Sequence, residues 1–273
     1  MKKISILLLF IICVCSVYGQ SKDTNITFIV KGVSFEMIFV DSGTFLMGCS
    51  DESKECHSNE IPAHKVTLSN FYMGKYEVTQ KLWYAVMGIT IEQQHKLAST
   101  VSIFSEGDDL PIYYINHNEC VEFCAKLNKL LSNQLPKGYK FRIPTEAQWE
   151  YAARGGNKSE GYKYSGSNSI DEVAWYSENS GKKTHEVGTK AANELGIYDM
   201  SGNVYEWCRD GNNNYLDTAA TNPMYYNTNS VYVMRGGGIF ESPPRLCRVC
   251  FRTSFNGIMR LGNVGLRICL SSY

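Results

Sequence analysis

Two thiols three residues apart stand in the stretch RLCRVCFR, as Cys247 and Cys250. A thiolate is both a nucleophile and a soft metal ligand. Such a pair can therefore be a redox couple, half of a zinc site, or halves of two unrelated disulfides. No second Cys-x-x-Cys and no histidine pair at ligand spacing completes a tetrahedral zinc site; His57, His64, His95, His117 and His185 are scattered along the chain. A second stretch, DMSGNVYE, offers hard oxygen instead: Asp199 and Glu206 flank Gly202 and Val204. A loop there can aim two carboxylates and two carbonyls at one point, which suits calcium with its roughly six to eight oxygen ligands. The competing account is an Asp/Glu pair satisfied by neighbouring amides or by Asn203. No Gly-x-Ser-x-Gly elbow or phosphate-cradling loop is present, and a lone histidine such as His185 in KTHEVG reads as a loop hydrogen bond.

The elements that must position these residues are mixed. ITFIVKGVSFEMIFVDSGTFLMG, broken at Gly32 and at Ser42-Gly43, reads as two or three strands joined by tight turns, and HKVTLSNFYMGKYEVT continues in the same style. A helix is expected over Gln80 to Met87 behind Thr79 as N-cap. A longer one follows YYINHNECVEFCAKLNKLL, with Val121, Cys124, Leu127, Leu130 and Leu131 as its apolar stripe and Pro136 beyond its end. Cys120 and Cys124, one turn apart on that helix, are not placed to bond each other, so each is expected to pair elsewhere. In RIPTEAQWEYAARGG, Thr145 and Gln148 form a capping box for a short helix, 146–153, that ends at Gly155-Gly156. Trp149 and Tyr151 read as core aromatics, and Glu146 or Glu150 as a partner for loop amides; Arg235 and Arg252 should bridge carboxylates or loop carbonyls. Beyond residue 160 the chain is rich in Gly, Asn, Ser and Tyr, with short strands such as VYVMRGG and GLRICL between long loops. No internal repeat or linker divides it.

Of the 273 residues, 44% are apolar and 20% charged, with 27 positive against 27 negative side chains. That balance supplies no basic field for nucleic acid or an acidic membrane surface. The first residues, MKKISILLLFIICVCSVYGQ, have a basic start, an apolar run and a small or polar end. They read as a secretory signal over 1–19, with one domain over 20–273. The run is too short to span a bilayer comfortably, and no other segment is a spanning candidate. A lipoprotein anchor at Cys13 or Cys15 is disfavoured, because neither follows a Leu-small-small pattern. Export, to the periplasm or beyond the cell, then makes disulfides the expected state of the remaining cysteines: Cys49, Cys56, Cys120, Cys124, Cys208, Cys247, Cys250 and Cys269. Cys49 and Cys56 can close a short local loop.

Four stretches, FVDSGTFLMG, RIPTEAQWEYAARGG, LGIYDMSGNVYEWCRD and RGGGIF…NVGLRIC, resemble in order and spacing the formylglycine-generating enzyme family, also called the sulfatase-modifying factors. The resemblance covers nearly all of the chain after the signal. It implies an α+β domain of low regular structure, a variant of the C-type-lectin-like fold. It also implies calcium at Asp199, Gly202, Val204 and Glu206, where the family uses a side chain, two backbone carbonyls and a glutamate; only this one calcium site is expected. Active members use a Cys-x4-Cys pair that binds copper(I) and, with molecular oxygen, convert a sulfatase cysteine to formylglycine. Here the serine expected after RGG is Gly238, the place of the first cysteine is Glu241, and the tryptophan before the glutamate is Tyr205. Cys247 and Cys250 are the remaining candidates, with the wrong spacing. By the same resemblance Cys208–Cys247 and Cys124–Cys269 are disulfides. The expectation is a non-catalytic member that binds a protein, peptide or glycan through its loops (Tyr215, Tyr225, Tyr226, Phe255). The alternative is an active copper-dependent oxidase.

Overall fold

The computed structural model describes residues 24–50, 55–98, 105–226, 229–240 and 243–273; the expected signal, 1–19, lies outside them. Strands β1 (Ile26–Val30), β2 (Val33–Val40), β3 (Gly43–Met47), β4 (His64–Leu68) and β5 (Phe71–Gly74) fill the first third. Helices α1 (Gln80–Met87), α2 (Ile91–Ala98), α3 (His117–Leu130), α4 (Glu146–Ala153) and α5 (Ile170–Val173) follow, with β6 (Lys140–Arg142) between α3 and α4. The last third carries β7 (Tyr205–Gly211), β8 (Ala220–Thr221), β9 (Val231–Arg235), β10 (Thr253–Asn256), β11 (Val264–Gly265) and β12 (Cys269–Ser271).

Three sheets result, in the orders β1-β2-β5-β12-β6, β10-β9-β7-β11 and β3-β4-β8. β12 enters the first sheet between β5 and β6, pairing Cys269 with Met73 on one side and with Arg142 on the other. The end of the chain thus closes the sheet that its beginning opened. With 22% helix and 24% strand, more than half of the described residues are irregular, so side chains must satisfy much of the loop backbone.

The local expectations for α1 and α4 hold to the residue. Thr79 Oγ1 accepts from Leu82 N, and Thr145 with Gln148 makes both halves of a capping box. α4 is buried on every side, which explains its weak amphipathic pattern. α3 departs from its expected stripe. Cys120, Phe123, Cys124, Leu127 and Leu131 face the core, while Val121 is 51% and Leu130 45% exposed. A ladder of three-residue steps drifts about 60° per step from the face it starts on, so the alternating 3- and 4-residue series is the buried one.

Candidate functional site

Buried ion pairs hold the C-terminal loops to α4. Arg235, on β9, pairs with Glu150 and lies 3.1 Å from Glu146, while its Nη1 donates to the carbonyls of Val249 and Phe251. Arg252 makes a two-pronged contact with Glu146, at 2.8 and 2.7 Å. Glu150 Oε1 accepts from Gly48 N, so the same carboxylate anchors the β3 exit. These are the roles expected for Glu146, Glu150, Arg235 and Arg252. Despite burial, the two guanidinium groups hold the Glu146 carboxyl below its ordinary range.

A second buried centre gathers around DMSGNVYE. Glu206 receives Arg267 at 3.0 and 2.8 Å on Oε1, and Trp149 Nε1 at 2.6 Å on Oε2. Asp199 Oδ2 accepts from Gly188 N. Glu77, which the sequence reading did not single out, accepts from Val204 N at 3.1 Å and Asn203 Nδ2 at 2.7 Å. Arg267 pairs directly with Glu206, and its charge also reaches the buried carboxyls of Asp199 and Glu77. Burial pushes the Asp199 carboxyl up to about 6, and it drives Glu77 up as well, with Asp199 and Glu206 adding repulsion. Gly202 has φ +86°, and a Cβ there would lie 2.3 Å from Trp175 O. Only glycine fits this turn. His185 stacks on Trp175 and bonds the Ser180 carbonyl, the loop role expected of it.

The cysteines divide. Cys49–Cys56 is a disulfide, as expected. Cys120, Cys124, Cys208, Cys247, Cys250 and Cys269 are free and buried, which corrects two expected bridges and the idea that Cys120 and Cys124 pair elsewhere. Cys269 lies near Cys124, but its Sγ turns to Gln148 Oε1 at 3.7 Å. Cys208 sits in the cluster around Trp149 and Val233, whereas Cys247 packs with Tyr164, Val173, Ala174 and Tyr176. Those are separate parts of the core, which is why Cys208–Cys247 does not form.

Cys247 and Cys250 are also parted from each other. Cys247 Sγ lies under the glycine triplet, where a Cβ on Gly237 would meet it at 2.6 Å, and it accepts from the Gly238 amide. Cys250 Sγ faces Arg248 at 3.0 Å and Glu60 at 3.7 Å. Burial raises the two thiols to about 12 and about 11 respectively. Of the loop aromatics, Tyr226 is 80% and Phe255 42% exposed. Tyr215 is not on the surface: it is 5% exposed, donates to Glu146 and lies under Arg252. Among the described residues no helix is long and apolar enough to cross a membrane.

A family model, the sulfatase-modifying factor enzyme 1-like domain, matches residues 31–272. The chain is 37% identical over 216 residues to a chaperone protein LppX of Paenibacillus barcinonensis, covering 64% of this chain and 71% of that one. It is 31% identical over 178 residues to the formylglycine-generating enzyme of Streptomyces coelicolor, covering 58% of this chain and 51% of that enzyme. It thus spans about half of that enzyme's length. Among solved structures, Treponema denticola variable protein 1 superposes with a TM-score of 0.77 at 29% identity, over 90% of this chain and 99% of that one. With the motif residues buried as the α+β formylglycine-generating-enzyme fold requires, and the model match running nearly end to end, the chain belongs to the sulfatase-modifying factor family.

Proposed function

We propose that this is an exported, non-catalytic member of the family whose loop-rich face binds a protein, peptide or glycan partner. The separation of Cys247 from Cys250 carries the reading. A copper(I) site of the family's kind needs two thiolates converging on one soft ion, and here one sulfur is sealed under Gly237 while the other faces Arg248. The residues present therefore do not fit the copper pair, and no oxidative step is derived through them. Tyr226 and Phe255 are exposed aromatics of the kind that recognition loops use. That the Paenibacillus relative is named a chaperone protein is in keeping with a binding role. Incubation with copper(I), oxygen and a Cys-x-Pro-x-Arg peptide should leave the peptide mass unchanged; conversion of its thiol to an aldehyde would refute the proposal.

Calcium at the second centre belongs to the same reading. Asp199, Glu206 and the carbonyls of Gly202 and Val204 would hold it. Three buried carboxylates against one arginine leave negative charge that a divalent cation would neutralise. The fit is incomplete at Glu206, whose oxygens already accept from Arg267 and Trp149. Asp199 is the residue with acceptor capacity to spare. Added calcium should raise the melting temperature and a chelator should lower it; no shift in either direction would remove calcium from the account.

A further inference from the structure

One side of the molecule brings three sulfurs together. Arg248 Nη1 lies 3.8 Å from the Sγ of Cys49 and 3.0 Å from that of Cys250. The same guanidinium grips Glu60 with both nitrogens, at 2.9 and 2.8 Å. A Glu60 carboxylate oxygen and the sulfurs of Cys49 and Cys56 all lie within 4.8 Å of one another, and the Cys250 thiol donates to Glu60 Oε2 at 3.7 Å. Glu60 is fully buried, Arg248 is 3% exposed and Cys250 8%. A free thiol and a disulfide are thus both drawn to one buried arginine–glutamate pair, and Cys49, Arg248 and Cys250 line an open cleft of about 480 Å³. Lys163 and Arg154 line the same cleft.

A thiol held against a disulfide can exchange with it without any outside oxidant. We propose that Cys49, Cys56 and Cys250 form a thiol–disulfide exchange centre, in which Cys250 takes over Cys49 from Cys56. Glu60 accepts the Cys250 proton, and Arg248 stabilises the thiolate against the carboxylates beside it. The thiolate attacks Cys49 Sγ; the Cys49–Cys250 bond forms as the Cys49–Cys56 bond breaks. The bonding pair leaves on Cys56, which recovers the proton from Glu60. One disulfide and one thiol are present before and after, so there is no net oxidation. What changes is which thiol is free: the half-buried Cys56 replaces the buried Cys250, giving the protein a thiol that can engage a cysteine of an external peptide. This goes beyond the binding role proposed above and does not depend on it.

Four charged groups face Cys250. Arg248 and Arg154 favour its thiolate, Glu60 and Glu150 oppose it, and burial outweighs them, pushing the thiol up to about 11. Exchange through Glu60 should therefore be slow at pH 7, and as the pH rises direct ionisation of Cys250 adds a growing supply of thiolate. The test is maleimide trapping of the folded protein between pH 7 and 9, followed by non-reducing digestion and mass spectrometry. The expected result is a Cys49–Cys250 peptide with label on Cys56, growing with pH. Label confined to Cys250 with Cys49–Cys56 intact throughout would overturn the proposal. Cys250→Ser should abolish labelling at Cys56, and undiminished labelling there would equally overturn it. In Cys56→Ser, oxidised glutathione should yield a Cys49–Cys250 bond; glutathione left on Cys49 would speak against the centre. Should that variant fail to fold, the wild-type trapping decides alone.

Discussion

Replacing Arg235 with methionine tests the view that buried ion pairs, more than regular structure, hold this fold. Arg235 is fully buried and serves two carboxylates and two carbonyls. The carboxylates are not wholly stranded by its loss. Glu150 keeps Arg154 at 2.8 Å and the Gly48 amide, and Glu146 keeps both prongs of Arg252. The carbonyls of Val249 and Phe251 lose their Arg235 donor, at about 1–3 kcal/mol each. Opening a buried pair from one side costs about 3–5 kcal/mol with such lost donors counted in, and the partners that both carboxylates keep place Arg235→Met within that range rather than above it. For a chain of this size that is a fall of roughly 6–20 °C in melting temperature. Thermal and urea unfolding at fixed calcium would measure it. Two signatures separate this mechanism from a simple packing defect. Adding Glu150→Gln to Arg235→Met should recover part of the loss, because the excess buried charge goes with it. Lowering the pH from 7 towards 4 should narrow the gap to wild type: against the upward push of burial, Arg235 is one of two cations holding the Glu146 carboxyl down, and the stability this gives is present above the ordinary glutamate range and lost on acidification. A cost below about 1 kcal/mol, or a gap indifferent to pH, would refute the reasoning.

Other expectations can be checked with the same unfolding assays. Thr145→Ala removes the side-chain cap of α4 and should cost about 1 kcal/mol, whereas an equivalent change at an exposed loop threonine should be silent. Gly202→Ala must place a Cβ 2.3 Å from a backbone oxygen at φ +86°, so a loss of at least about 2 kcal/mol is expected; a neutral result would mean the Trp175 loop gives way. Burial raises the Asp210 carboxyl to about 7, while arginines lower that of Glu146. The Asp210 contribution is present at low pH and fades between about pH 4 and 7. That of Glu146 is present above the ordinary glutamate range and fades as the solution is acidified. Unfolding free energy against pH should therefore bend downward at both ends, and Asp210→Ala should flatten the upper bend.

Local signals determined much of this protein. The capping box at Thr145 and Gln148, the N-cap at Thr79 and the strands broken at Gly32 and Gly43 need only neighbours in the chain, and the structure keeps them. The four motif stretches were enough to indicate the family, because their order and spacing resemble it, and their Arg and Glu residues form buried ion pairs. The Cys49–Cys56 bridge closes a loop of so few residues that chain proximity alone suggests it.

Tertiary structure decided everything that depended on side-chain direction across long separations. Cys208 and Cys247 look like partners in a cysteine count, yet β7 carries one into the cluster around Trp149 and the glycine triplet covers the other. Glu77 gives no sign in YEVT of joining a carboxylate cluster more than a hundred residues away, since nothing in a strand-exit sequence encodes the Asn203 and Val204 donors that reach it. Tyr215 reads as a loop aromatic and is buried, because Arg252 and Glu146 give its ring and hydroxyl partners in the interior. The pair Cys247 and Cys250 shows the limit most plainly. Three residues of separation fixed how near the two thiols could be along the chain, but packing sent one beneath Gly237 and brought the other to Arg248, Glu60 and a distant disulfide.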